Sequence, residues 1–362
     1  MSGRGRRRPV RRADADVYLR LMLAGFAVSV LGTRAYLAAT GYPQVGGGGL
    51  HISHALWGGL LLFAAALLPL VLAGRRASAL AAVLTGVGAG LFIDEVGKLI
   101  TSDYDYFFPA AAPIVYAVFL LAVLAYAQVR SHRRRTARAE LHRAFGDLGA
   151  MLDGALDAHG RADLERRLAN AAADEDAPGH LRRLAATLQD YVDTDVEAAE
   201  APPGRLRRWS HAVAHWAGRF FTAARLRVLL TLGTGLLGAL ALADLLAVAW
   251  VLADSWDGTT GTLAHALQDL AGIDVDGRGA VIVVLVRGAL DGVAGALLLV
   301  AAFLIGTGRT GFATALAGYA LLFLISVVDL LVFYSAQFAA AAAAAAQFVL
   351  LAGVRRYRRI AE

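Results

Sequence analysis

The chain contains no cysteine, so neither a disulfide nor a thiolate metal site can form, and any metal would need histidine and carboxylate ligands. Lysine is almost as scarce: Lys98 is the single lysine among 35 basic residues. In a chain crowded with Ala, Gly, Leu and Arg, this one survivor stands in the stretch Asp94-Glu95-Val96-Gly97-Lys98, where a compact ammonium and a planar guanidinium are not interchangeable. There is no HExxH, no phosphate loop, no GxSxG and no nucleic-acid-binding module, so the familiar zinc-hydrolase, NTPase and serine-hydrolase signatures are excluded.

What the chain has in abundance is apolar surface. With 58% hydrophobic residues and several runs of about 20 apolar residues, the expected class is a multipass α-helical membrane protein. The excess of 35 basic over 29 acidic residues lies in segments flanking those runs, which is a topology signal and not a polynucleotide footprint. The expected fold is all-α: a polytopic membrane helical bundle of eight transmembrane helices in the plasma membrane, N- and C-termini cytoplasmic, with a cytoplasmic helical insert.

The order of segments follows from charge and periodicity. Residues 1–16 are a basic cytoplasmic arm, and residues 17–130 hold the first four apolar runs. A Gly-rich stretch follows the first run and suits a lid, while Arg75–Arg76 place the second hairpin in the cytoplasm. Residues 131–204 break the membrane pattern. There Leu141, Phe145, Leu148, Leu152 and Leu156 form one helical stripe, Leu164 and Leu168 a second, and Leu181, Leu184, Leu188 and Tyr191 a third, which predicts a small helical bundle. Residues 205–225 read as an interfacial amphipathic helix, with Trp209 and Trp216 at headgroup depth and Arg205, Arg208 and Arg219 toward anionic inner-leaflet lipid. Residues 226–354 hold four more runs, the last containing the alanines Ala339–Ala346, whose small size lets helix backbones approach closely. A basic tail, 355–362, ends the chain. Laying the sixth and seventh runs on the second and third suggests a 4+4 tandem repeat, with Glu95 and Asp329 as rough counterparts.

Ionisable residues inside apolar runs are costly and seldom face lipid, so they carry the functional expectation. On the predicted topology Arg34, Asp94, Glu95, Lys98, Asp244 and Asp329 fall in the outer halves of their spans, and Arg287 and Asp291 nearer the middle. This segregation predicts one outward-facing polar cavity. Glu95, His54, Asp94 and Lys98 are its candidate catalytic residues: Asp94 and Lys98 stand at i,i+4 and are expected to pair, leaving Glu95 freer as acid, base or ligand. Arg34, Arg287, Asp291, Asp329, Asp244, Trp57 and Tyr104 are candidate substrate-binding residues. His51, His54, Asp103 and Asp105 are candidate ligands for a divalent metal ion, through imidazole and hard oxygen donors. Three classes of function fit this cavity. One is a membrane-embedded enzyme acting on a lipid or isoprenoid-linked substrate, another a transporter or channel for a small cationic solute or ion, and the third a non-catalytic membrane sensor or scaffold.

Within residues 51–107, a His near a helix start followed by Gly-Gly, then a helix ending in small residues and an acidic pair, resembles the VanZ-like bacterial membrane proteins. The residues that carry this resemblance are His54, Gly58, Gly59, Asp94 and Glu95. The chain departs from the pattern at Ile93, where an aromatic is often seen, and at Lys98, where a second acid would lie. The resemblance implies a bacterial membrane setting and no particular chemistry.

Overall fold

The computed structural model describes residues 12, 14–41, 53–101, 108–131, 136–152, 156, 158–194, 220–254 and 278–361. The Gly-rich stretch, the aromatic and acidic loop 102–107, most of the amphipathic segment 205–225 and the acidic loop 255–277 lie outside these residues. All regular structure among the described residues is helical. Seven helices there are long and apolar enough to cross a membrane, and the last of them runs 52 residues, from Thr310 to Ala361. The chain divides into two compact units: Met1–Ile93 with Leu121–Ser210, and Asp94–Leu120 with His211–Glu362.

The first unit contains α1 (Ala15–Thr40), α2 (His54–Val71) and nearly all of α3 (Arg75–Asp94). Their ends follow from local chemistry. Ser53 caps α2 by accepting a hydrogen bond from the Ala55 N–H at 3.0 Å. Gly41 ends α1 in the left-handed region at φ 71°, where it returns its N–H to the Leu37 carbonyl. Glycines then set the packing. A Cβ on Gly86 would lie 2.1 Å from the Met22 carbonyl oxygen of α1, and one on Gly58 would lie 2.7 Å from the Gly88 oxygen and 2.6 Å from the Phe92 nitrogen of α3. The helices therefore touch backbone to backbone, as small-residue contacts in membranes do. Along α2 the outward residues Leu56, Trp57, Leu60, Phe63 and Leu70 are exposed, an apolar face suited to lipid.

The insert belongs to the same unit. After the short helix α4 (Val96–Ile100) and α5 (Ala111–Ser131) come α6 (Ala137–Leu152), α7 (Ala158–Ala172) and α8 (Gly179–Thr194), which pack on one another around Leu141, Ala144, Leu164, Leu168, Ala185 and Val192. Most of the predicted stripe residues pack here: Leu141, Leu164 and Leu168 are buried, and Leu148, Leu156, Leu181 and Leu188 lie against them. Phe145, Leu184 and Tyr191 are exposed, and the neighbouring Ala144, Ala185 and Val192 take the core positions. Small residues at the contacts bring the three helix axes together, and the bulkier neighbours are left outside. Asp147 of α6 is buried, ion-paired to Arg167 of α7 and to Arg75 at the start of α3 at 3.5 Å. Burial pushes the Asp147 carboxyl above its ordinary range, against the pull of the two guanidiniums. Arg75 also donates two hydrogen bonds to Asp14, at 2.8 and 2.9 Å, so the start of α1, the α2–α3 turn and the insert meet at one end of this unit.

The second unit is built on α9 (Ala223–Asp254), α10 (Arg278–Gly306) and α11 (Thr310–Phe323). There follow a π-helical turn Leu324–Val328, α12 (Asp329–Ala336), a 3₁₀ turn Gln337–Ala340 and α13 (Ala341–Ala361). Close contact between α9 and α10 centres on Gly238 and Gly295, where a Cβ on either would stand 2.8 Å from the other's carbonyl oxygen. Gln337 takes φ 47° and ψ −134°, a conformation rare for a side-chain-bearing residue, and beyond it α13 packs against α11. The apolar core of this unit includes Leu230, Leu298, Ile305, Ala317, Leu321 and Leu351.

Candidate functional site

The second unit collects the charged residues that the sequence scatters over 86 positions, from Asp244 to Asp329. Arg287 and Asp291 are one turn apart on α10, which places them on one face. The Arg287 guanidinium lies 3.6 Å from Asp291 through Nε and 4.0 Å from Asp244 through Nη2, and its Nη1 donates to the Ser335 hydroxyl of α12 at 2.9 Å. Asp291 is 8% exposed, while the Asp244 side chain is 63% exposed on α9. One cation thus faces two acids, the first buried midway along the 29-residue α10 and the second open at the surface of the unit.

Asp329 begins the neighbouring α12, which packs on α10 together with the π-helical turn before it, and is 3% exposed. Its carboxylate is held differently. Oδ1 accepts from the Gln347 amide of α13 at 2.9 Å, and Oδ2 is 3.0 Å from the Tyr116 hydroxyl of α5. Tyr116 also donates to the main-chain carbonyl of Ile325 at 2.9 Å, and its ring stacks on Phe333 with centroids 4.3 Å apart. Ile325 sits in the π-helical turn, whose wider spacing displaces carbonyls from the regular ladder and opens them to outside partners. Gln347 reaches Asp329 because Ala340 and Ala344 let α13 lie close at this level. Among the described residues no lysine or arginine is ion-paired with Asp329. Three acids and one cation therefore share the cluster.

The other predicted site residues divide between the two units. His54, Trp57 and Arg34 belong to the first: His54 begins α2, Trp57 is exposed on the same helix, and Arg34 is buried on α1. Asp94, Glu95 and Lys98 belong to the second, at the break between α3 and α4. Asp94 and Glu95 are both buried there. The expected freedom of Glu95 is corrected: Lys98 Nζ donates to Glu95 Oε1 at 3.2 Å. The helix is interrupted at Glu95, with φ −91° and ψ 12°, and resumes at Val96. Tyr104, His51, Asp103 and Asp105 lie outside the described residues. Among the described residues no group of three or more His, Asp or Glu side chains is disposed to hold a metal ion.

Three participants escaped the reading of the sequence: Tyr116, Ser335 and Gln347. Gln347 alone left a signal, as an amide interrupting an apolar, alanine-rich helix. Against models of protein families, against curated proteins and against solved structures, the chain finds no match.

Proposed function

We propose that the protein moves a small cation, the proton included, across the membrane, using the acids of the second unit as its binding site. The observation that carries this is the placement of Asp291, buried midway along a membrane-length helix beside Asp329 and outnumbering its cation together with it. Transporters bind near the midplane, where interrupted helices offer main-chain oxygens, and the π-helical turn before Asp329 supplies such an interruption. Exposed Asp244 gives the cluster a polar opening on the surface of the unit. The purified protein in liposomes carrying an internal pH dye, driven by an imposed potential with sodium, potassium or neither present, should report flux above empty liposomes. Asp291→Asn should lower that flux by an order of magnitude. Flux equal to empty liposomes, or unchanged in the variant, overturns the reading.

This reading includes eight crossings. A straight helix of 52 residues would be roughly 78 Å long, against a hydrocarbon core of about 30 Å. The turn at Gln337 and the packing of α13 on α11 support two antiparallel spans in its place. With an even count both termini share a side, and the arginines at 75, 227, 309 and 356 favour the cytoplasm of a bacterial cell, in keeping with the VanZ-like resemblance. The break beside Glu95 and the π-helical turn beside Asp329 favour the tandem repeat, since each interrupts a helix next to an acid. The chain has no cysteine of its own, so one introduced at Gln337 should react with a membrane-impermeant maleimide from the side opposite to one at Arg76. Labelling of both from the same side sinks the eight-span topology.

A further inference from the structure

Resting on that reading, we propose that Asp329 is a proton-binding site and that it carries a proton in the arrangement described: the ion this cluster holds is H⁺, on a carboxyl wedged between Tyr116 and Gln347.

The count of hydrogens leads there. The Tyr116 hydroxyl has one hydrogen and lies 2.9 Å from the Ile325 carbonyl oxygen and 3.0 Å from Asp329 Oδ2. One hydrogen makes one straight bond. The carbonyl and an ionised carboxylate can both only accept, so with Asp329 ionised one of the two contacts would set acceptor against acceptor, and a proton on Oδ2 supplies the missing hydrogen. The carboxyl is the group that can carry it. Asp329 Oδ2–H donating to the Tyr116 oxygen, which in turn donates to the Ile325 carbonyl, satisfies all three groups in one chain.

Charge leads the same way. Asp329 is 3% exposed, and among the described residues the polar side chains that meet it are two neutral ones, Tyr116 from α5 and Gln347 from α13. From α10 the facing charges are Asp291 and Arg287, the former repelling a negative Asp329 and the latter already shared with Asp291 and Asp244. An ionised carboxylate buried without a cation is costly, and protonation removes that cost. A third observation shows where the proton could be exchanged. Gln347 is 4% exposed, and its Oε1 is a buried acceptor without a hydrogen-bond partner, adjoining the amide nitrogen that holds Asp329 Oδ1. A water donating to Oε1 would stand within reach of the carboxyl and could take up its proton as Asp329 ionises.

Infrared spectroscopy of the full chain in lipid bilayers tests this. At about pH 7 an ordinary aspartate is ionised. The difference spectrum of wild type minus Asp329→Asn should show the carbonyl band of a protonated carboxyl, shifting in D₂O, and wild type minus Asp291→Asn should not show the same band. Tyr116→Phe, which removes the hydrogen-bond partner with little change of shape, should move the band to higher frequency. No such band at about pH 7, or a band insensitive to both Asp329→Asn and Tyr116→Phe, overturns the assignment. If Asp329→Asn fails to fold, the Tyr116→Phe shift decides alone. Liposomes without flux and a band in place would end the transport reading and keep this one; flux without the band would do the reverse.

Discussion

Replacing Gly86 with alanine should destabilise the protein by about 3 kcal/mol, the upper end of what overpacking usually costs, although one methyl group is all that is added. The methyl would stand 2.1 Å from the Met22 carbonyl oxygen and 2.8 Å from its carbon. A crowded side chain can rotate away, but a main-chain carbonyl inside a helix cannot, so α1 and α3 must separate along their length. Gly90, one turn further on, closes on Ser29 and Phe26 of the same helix, so the separation breaks a second contact as well. Gly59 is the matched control, with nothing within 4 Å of an added Cβ. There alanine removes only the backbone entropy of glycine and should stabilise by up to about 1 kcal/mol. Unfolding of both variants in mixed detergent micelles should therefore give shifts of opposite sign. A Gly86→Ala protein as stable as wild type would mean that α1 and α3 do not pack in this way.

That pair of glycines also shows what a sequence does and does not disclose in a membrane protein. The apolar runs, the polar insert and the unusual acids are visible because lipid tolerates so few departures from apolar composition: Asp291, Arg287 and Asp329 stand out against their surroundings. Gly86 and Gly90 make a GxxxG spacing that many packed membrane helices share, and the structure gives them a partner in α1. The π-helical turn at Leu324–Val328 has no such mark, since LISVV would serve as well in a regular helix. Without that turn the Ile325 carbonyl has no reason to meet Tyr116, and Tyr116 reads as one more aromatic. In the insert, spacing identified three amphipathic helices and most of their packed residues, but placed Phe145, Leu184 and Tyr191 inside, because the rule ranks bulky apolar residues above alanine. Close helix packing ranked Ala144 and Ala185 first. At Glu95 the i,i+4 rule was applied across a residue where the helix stops, and it did not give Lys98 its contact with Glu95 at i,i+3.

Arg287 should prove the residue on which the stability of the second unit depends most. Its guanidinium serves three partners on three helices: Asp291 through Nε, Ser335 through Nη1 and Asp244 through Nη2. Arg287→Met keeps most of the volume and removes the charge, leaving Asp291 buried beside Asp329 with no cation paired to it among the described residues. Removing one partner of a buried ion pair costs about 3–5 kcal/mol, and the loose 3.6 Å geometry places this case toward the lower figure. Arg287→Lys should recover part of the loss, because an ammonium restores the charge but cannot span the three directions of the planar fork. Combining Arg287→Met with Asp291→Asn should recover most of it, since the acid that lost its counter-charge is then neutral, and the non-additivity of the double-mutant cycle measures the coupling directly. Additive effects would mean that Asp291 gains nothing from Arg287.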